Sequence, residues 1–289
     1  MNCKEYFKPK DLNELNGIIK AIDGKVSYVA GGTDLVIHER ENNNFGDVTL
    51  IDVFGIEELR YIKEDSDKIL IGSASTHTDI VENQLINTYA SILSKACSTV
   101  GSILTRNHAT LVGNVCNASP AADSLSSLAV LDAKFKILRE GQYITISLYD
   151  IIDKPGHTIL QNKDFVVEVI INKLKPGTKT DFFKLGRRKA LAISRMTIST
   201  ICHQREDSVI DDFNITCGAT FPRPMTFPEI NNLMINQKPT EVLINKVAKS
   251  LSNKIPEIAG IRKSTIYKQP VCELVTKNIL FKMLLGKES

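Results

Sequence analysis

Apolar residues between positions 11 and 22 recur at helical spacing and predict a short helix, and the compact run Val26 to Ala30, rich in strand formers, predicts a strand. Gly31 and Gly32 interrupt it. Thr33 or Asp34 is placed to cap a following helix through Leu35, Val36 and Ile37, and the polar stretch Glu41 to Asn44 predicts a loop. Val48 to Val53 reads as a second strand, so the first 53 residues follow the order strand, glycine turn, helix, strand of a small α/β unit.

From about residue 55 the pattern changes to short strands, such as Lys68 to Ser73, between helical segments, such as Ile80 to Asn87 and Ser91 to Val100. Ser119 followed by Pro120 predicts a helix start, because a hydroxyl can cap free amides and proline tolerates the first helical position; the helix would run to about Leu131. Ala133 to Leu138 and Tyr143 to Leu148 flank Glu140-Gly141 and predict a hairpin, with Asp164 to Ile171 as a further strand. Lys173 to Lys179 reads as a linker. Beyond it Phe182 to Leu185, Arg195 to His203 and Val209 to Cys217 predict strands, the last two joined by a turn at Glu206 to Ser208. Residues 239–252 and 271–285 show helical spacing, with an end near Gly286. The reading is an α+β chain in three parts: an α/β part over 1–55, a mixed part over 56–174 and a C-terminal α+β part over 175–289.

Composition narrows the class. The chain has 289 residues, 43% hydrophobic and 24% charged, which excludes disordered and fibrous classes. Its net charge of +3 is too mild to demand a nucleic-acid partner. The N-terminal stretch is charged throughout, and no apolar run reaches the ~18 residues of a membrane span. The expectation is a soluble, cytoplasmic protein. Six cysteines are scattered without metal-ligand spacing and read as reduced, mostly buried thiols. His38, His77, His108, His157 and His203 are isolated, and no nucleophile and base set emerges, so neither a metal ligand nor a catalytic residue is assigned.

Two segments carry candidate chemistry. In Val29-Ala30-Gly31-Gly32-Thr33-Asp34 two glycines end a strand ahead of a helix, where backbone amides and the helix dipole suit an anion such as a phosphate, or where glycine serves turn geometry alone. The pattern is neither a Rossmann nor a P-loop fingerprint. The second segment, Thr110 to Asp123, is dense in small and polar residues, and Thr110, Asn114, Ser119 and Asp123 offer hydroxyl, amide and carboxylate groups. Two such segments in one chain suit an extended dinucleotide.

The pair AGGTD at 30–34 and TLVGNVCNASPAAD at 110–123 resembles the FAD-binding subunit of the molybdenum hydroxylases, the family of the xanthine, nicotinate and carbon monoxide dehydrogenases. Ile71 to Thr76, Arg106-Asn107, Leu131 to Ala133 and Phe183 to Arg188 extend the likeness over nearly the whole chain. The resemblance implies a vanillyl-alcohol-oxidase-like, PCMH-type flavin fold with a C-terminal α+β domain. Carried over, Tyr28, Val29, Ala30, Gly31, Gly32, Thr33, Asp34, Leu35 and Val36 line the FAD diphosphate, and Thr110, Leu111, Val112, Gly113 and Asn114 form a second backbone clamp. Asp123, Val166 and Lys184 fall on contact positions near the flavin, and Val100 where some members place an aromatic ring. The family's second clamp usually reads TxGGN; here Val112 replaces the first glycine, which implies strain if that position needs positive φ or very close ligand approach.

The resemblance further implies partner subunits carrying a molybdenum cofactor and 2Fe–2S clusters, with electrons passing through FAD to an acceptor such as NAD, and with no membrane or nucleic acid involved. Three other readings stand beside it: a stand-alone flavin-dependent reductase or oxidase, a non-catalytic nucleotide-binding or RNA-binding module, and a cofactor-free structural subunit. The segment Lys173 to Arg205 holds nine basic residues against one acid, Asp181, which suits either a solvated sheet face or docking of a partner subunit or a pyridine nucleotide.

Overall fold

The computed structural model describes residues 3–42 and 46–287. It places three sheets in succession, each backed by an apolar cluster. The first unit contains β1 (Glu5–Phe7), α1 (Leu12–Ala21), β2 (Lys25–Val29), α2 (Leu35–Asn42) and β3 (Val48–Asp52). Its strands are parallel in the order β1-β3-β2. The Asp11 carboxylate accepts the Glu14 amide at 2.8 Å and caps α1, which buries Leu15 and Ile19. The loop expected from Glu41 is instead the end of α2, which runs through Glu41 to Asn42 because polar side chains on a solvent face do not break a helix. Asn43 and Asn44 lie outside the described residues.

The second unit holds β4 (Ile62–Asp65), β5 (Lys68–Gly72), α3 (His77–Glu82), α4 (Gln84–Tyr89), α5 (Ser91–Ser98), α6 (Ile103–Arg106), α7 (Leu111–Cys116) and α8 (Asp123–Val130). It continues with β6 (Lys134–Arg139), β7 (Gln142–Ser147), α9 (Leu148–Ile151), the short β8 (Ile152–Lys154) and β9 (His157–Thr158), and β10 (Phe165–Asn172). The sheet is antiparallel in the order β4-β5-β10-β6-β7. Glu140 and Gly141 turn the β6–β7 hairpin with φ of 50° and 82°, the positive pair a two-residue loop requires. Two expectations are corrected. The helix expected over 80–87 is two, because Asn83 ends α3 and its side chain caps α4 through the Ile86 amide at 3.2 Å. The helix expected from Ser119-Pro120 starts at Asp123: the Ala122 amide closes a turn on the Ser119 carbonyl, and the Pro120 carbonyl accepts the Ala219 amide of the third unit.

The third unit contains β11 (Lys179–Leu185), β12 (Met196–Gln204), β13 (Ile210–Gly218), α10 (Pro228–Asn231), α11 (Glu241–Ala259) and α12 (Lys263–Leu280). Its antiparallel sheet, ordered β11-β12-β13, packs on α8. The two long helices exceed the predicted 239–252 and 271–285: α11 passes through Pro256, and α12 begins well before Pro270. The buried stripe Ile244, Val247, Leu251 and Ile255 holds α11 to the sheet and outweighs the proline's lost hydrogen bond. Gly286 ends the helical region with φ of 65°, as its left-handed conformation allows. Two of the cysteines the sequence leaves scattered meet here: Cys217 on β13 and Cys272 on α12 are buried free thiols with sulfurs 3.2 Å apart. Among the described residues no helix is long and apolar enough to cross a membrane.

Candidate functional site

The glycine turn after β2 is shaped by packing before any ligand is considered. A Cβ on Gly31 would lie 1.9 Å from the His108 carbonyl oxygen, so the turn presses directly on the backbone that leads into the second polar segment. Gly32 has φ of +67°, the left-handed conformation. Protein geometry alone thus requires a glycine at both positions. The turn still leaves donors over. Among the described residues no carbonyl or side chain takes a hydrogen from the amides of Gly31, Gly32, Thr33 or Asp34, at the start of α2. Four successive amides at a helix start favour an anion.

The first half of the second segment is helical, as α7. Thr110 caps α7 by accepting the Gly113 amide at 3.0 Å, and a Cβ on Gly113 would sit 2.9 Å from that hydroxyl. Val112 is helical and buried, outside the positive-φ residues, so the backbone strain implied at this position is not there. The segment is anchored by an antiparallel bridge between Thr76 and Thr110, with the His77 amide on the Ala109 carbonyl at 2.9 Å and the Leu111 amide on the Ser75 carbonyl at 3.2 Å.

Between the two segments lies a cleft of about 850 Å³, of a size that takes a large cofactor. Of the residues singled out in the sequence, Tyr28, Ala30, Gly31, Gly32, Thr33, Asp34, Leu35, Val100, Thr110, Val112, Gly113, Asn114 and Val166 line it. Val29, Val36 and the fully buried Leu111 stand behind this lining. Asp123 and Lys184 do not line it. They pair with each other at 2.5 Å, and Asp123 also accepts from Ser194 at 2.5 Å and Thr99 at 3.0 Å, while Lys184 donates to the Thr99 carbonyl at 2.9 Å. Their reach to the cleft is through the backbone ahead of Val100.

The far wall, residues 158–165, was missed apart from the neighbouring Val166. Asn162 binds the Val26 amide at 2.9 Å and the Gly24 carbonyl at 2.5 Å, and Tyr28 donates to the Lys163 carbonyl at 3.0 Å, its ring 5.0 Å from that of Phe165. Burial, then Asp164, pushes the Tyr28 phenol up, so it stays protonated and donating. Asp164 is buried but paired with Arg139 at 2.6 Å. The only advance signal was the polar run Gln161 to Asp164 directly before a strand. Ser73 was quoted in the sequence but not assigned to the site; its amide donates to the Val167 carbonyl at 2.9 Å, continuing the β10–β5 register one residue beyond β5, and this sets Ser73 in the cleft wall. Its buried hydroxyl has no partner among the described residues.

Behind the cleft, His77 at the first turn of α3 is fully buried with neither ring nitrogen partnered among the described residues. Burial, followed by the charge of Arg106, lowers its pKa from 6.5 to about 4. The folded state therefore refuses a proton that the unfolded chain accepts, and stability falls as the pH drops from 6.5 toward 4. His77→Leu is expected to remove up to ~3 kcal/mol of that acid-side loss, read as a flatter plot of urea midpoint against pH. An unchanged plot would assign the acid sensitivity elsewhere.

Residues 2–173 match the FAD binding domain in molybdopterin dehydrogenase, and residues 181–285 match the CO dehydrogenase flavoprotein C-terminal domain. The chain belongs to this flavoprotein family. It is similar to the nicotinate dehydrogenase FAD-subunit of Eubacterium barkeri, 29% identical with 97% of this chain and 96% of the relative covered. It is likewise similar to the xanthine dehydrogenase FAD-binding subunit of Escherichia coli O157:H7, 25% identical over 89% and 88% of the two chains. In fold it resembles a chain of the carbon monoxide dehydrogenase of Hydrogenophaga pseudoflava that lacks the Mo-pyranopterin moiety, with a TM-score of 0.87, 18% identity and 99% of both chains covered. The flavin-domain architecture read from the motifs is therefore that of the molecule, and the chain is an FAD subunit of the molybdenum hydroxylase family of oxidoreductases. The cleft suits FAD: it offers a row of free amides for a diphosphate, an unpartnered buried hydroxyl at Ser73 and the volume for a dinucleotide.

Proposed function

We propose that FAD lies in this cleft with its diphosphate against the free amides of Gly31, Gly32, Thr33 and Asp34, and that the subunit relays electrons within a larger hydroxylase. The row of unpartnered amides carries the reading. When bound, FAD supplies the redox chemistry, and the chain supplies placement, charge and exclusion of water. Tyr28 through Val36 form the first clamp and Thr110 through Asn114 the second, with Leu111, Val29 and Val36 supporting the residues that face the cleft. Val100 and Val166 flank the flavin end. Asp123 and Lys184 fix the backbone at Thr99, next to Val100, as positioning residues.

Partner subunits bearing a molybdenum cofactor and 2Fe–2S clusters deliver the electrons, and NAD accepts them, the whole assembly being cytoplasmic. A second groove of about 1080 Å³, lined by Thr99, Arg106, Lys184, Arg187, Arg188 and Lys189 on the other side of the Thr99 to Arg106 segment, supports an anionic acceptor. The chain divides for this task at 1–55, 56–174 and 175–289, the first two parts clasping the cofactor.

The test is the visible spectrum of the purified chain, followed by heat release and chromatography of the chromophore. The expected result is flavin bands and released FAD near one per chain, with Val112→Gly binding no better than the wild type. A chain that stays colourless when FAD is supplied, or a Val112→Gly variant that alone gains flavin, would overturn the assignment of the second clamp. Reduction of the bound flavin by NADH would support NAD as acceptor, and an inert flavin would remove it.

A further inference from the structure

Cys217 and Cys272 are a pair that lies outside the cleft proposed for the flavin. Cys217 lies on β13, 2% exposed, and Cys272 on the facing side of α12, 0% exposed; their sulfurs are 3.2 Å apart in the core of the third unit. A disulfide needs its sulfurs to close to about 2.05 Å, a shift of the order an ångström that two χ1 torsions can supply. The nearest reactive neighbour of each sulfur is the other. The Cys272 sulfur is otherwise within reach of the Thr276 hydroxyl at 4.0 Å, and among the described residues no cluster of His, Cys, Asp or Glu could hold a metal.

We infer that Cys217 and Cys272 are a redox-active pair that closes to an intramolecular disulfide when a hydroperoxide oxidises the protein, stapling α12 to β13. The balance is two thiols plus one hydrogen peroxide giving one disulfide and two waters. One sulfur attacks a peroxide oxygen, the O–O bond breaks and water leaves, giving a sulfenic acid. The second sulfur then displaces the hydroxyl as the second water, forming the S–S bond. Two electrons pass from the sulfurs to the peroxide, and the thiol protons leave in the waters.

The surroundings set the rate. Hydrogen bonding to Cys272, then burial, holds the Cys217 thiol well above its ordinary pKa, so little thiolate is present at neutral pH and ordinary exposure leaves the pair reduced. Oxidation is therefore slow and speeds up where α12 loosens. The staple has a structural consequence, because α12 also reaches the strand ends through Lys268, which donates to the Ala219 carbonyl at 2.6 Å, and through Tyr267, whose ring carries Arg195 at 6.0 Å. Closing the bond fixes that side of the third unit.

The experiment uses the full chain incubated with hydrogen peroxide, quenched by alkylation under denaturing, non-reducing conditions, digested and mapped by mass spectrometry. The expected product is a crosslinked peptide joining Cys217 to Cys272, two hydrogens lighter than its parts and released by dithiothreitol, with Cys97 and Cys202 still alkylated as thiols. The oxidised chain is expected to melt several degrees higher, because the loop it closes is long. The gain should vanish in both Cys217→Ser and Cys272→Ser; the wild-type map stands by itself if either variant fails to fold. Recovery of Cys217 and Cys272 as free thiols or sulfinic acids, or paired to other cysteines, after complete oxidation of an exposed thiol control would overturn the inference.

Discussion

Gly31→Val is expected to lower the melting temperature sharply and to leave the chain without flavin. The Cβ position is already 1.9 Å from the His108 carbonyl oxygen and 2.4 Å from its carbonyl carbon, and both belong to backbone that cannot rotate aside. The clash forces the turn after β2 away from the segment before α7, and overpacking of this kind costs about 3 kcal/mol or more. The two walls of the cleft separate at the same time, so the loss reaches binding as well as stability. Gly17→Ala is the control. It sits inside α1 with nothing within 4 Å of an added Cβ, and the exchange is expected to stabilise by about 0.5–1 kcal/mol. Thermal unfolding and the ratio of FAD to protein distinguish the two variants, and a Gly31→Val chain with normal melting and full flavin would refute the contact.

Asp123→Ala is expected to destabilise the chain by about 3–5 kcal/mol, among the largest single effects outside the cleft. Its carboxylate is only 6% exposed and holds Lys184, 15% exposed, together with Ser194 and Thr99. Removing it leaves the mostly buried Lys184 ammonium with the Thr99 carbonyl as its remaining partner among the described residues, at the wall of the second groove. The pair joins the start of α8 to β11, so its loss loosens the packing of the third unit on the second. In Asp123→Leu/Lys184→Met both charges are gone, and most of the stability should return because no buried charge is left alone. Urea unfolding of the single and double variants makes the comparison; additive losses would show that the two side chains do not act together.

Legibility followed the range of the interactions. Where the decisive chemistry is local, the pattern sufficed: the helix expected over 11–22 forms as α1, with Asp11 as its cap, and Glu140-Gly141 turns its hairpin because two neighbouring positive φ angles are needed there. Both polar segments were visible for the same reason, since small residues and hydroxyls at helix starts have a direct backbone meaning. Partners distant in the chain left no mark. Nothing near Gly31 names His108, and nothing near Asn162 names Val26. The length of α11 was underestimated because apolar spacing alone does not show that the buried stripe carries the helix through Pro256. Asp123 was singled out as a contact of the cofactor, while its carboxylate is consumed by an ion pair that only the third unit completes.

The meeting of Gly31 with His108 also bears on the order of folding. The parallel strands β1, β3 and β2 and the antiparallel sheet of the second unit each have contacts of their own, and the cleft lies where the two units meet, through Gly31 on His108, Asn162 on Gly24 and Val26, Tyr28 on Lys163 and Phe165, and an apolar cluster to which both contribute. Docking must overcome the entropy of closing a long loop, which the shared burial of Leu15, Ile51, Ala74, Phe165 and Val167 from the two units offsets. The cleft, whose walls come from both units, is therefore complete only once they have docked, and capture of a dinucleotide must follow that docking.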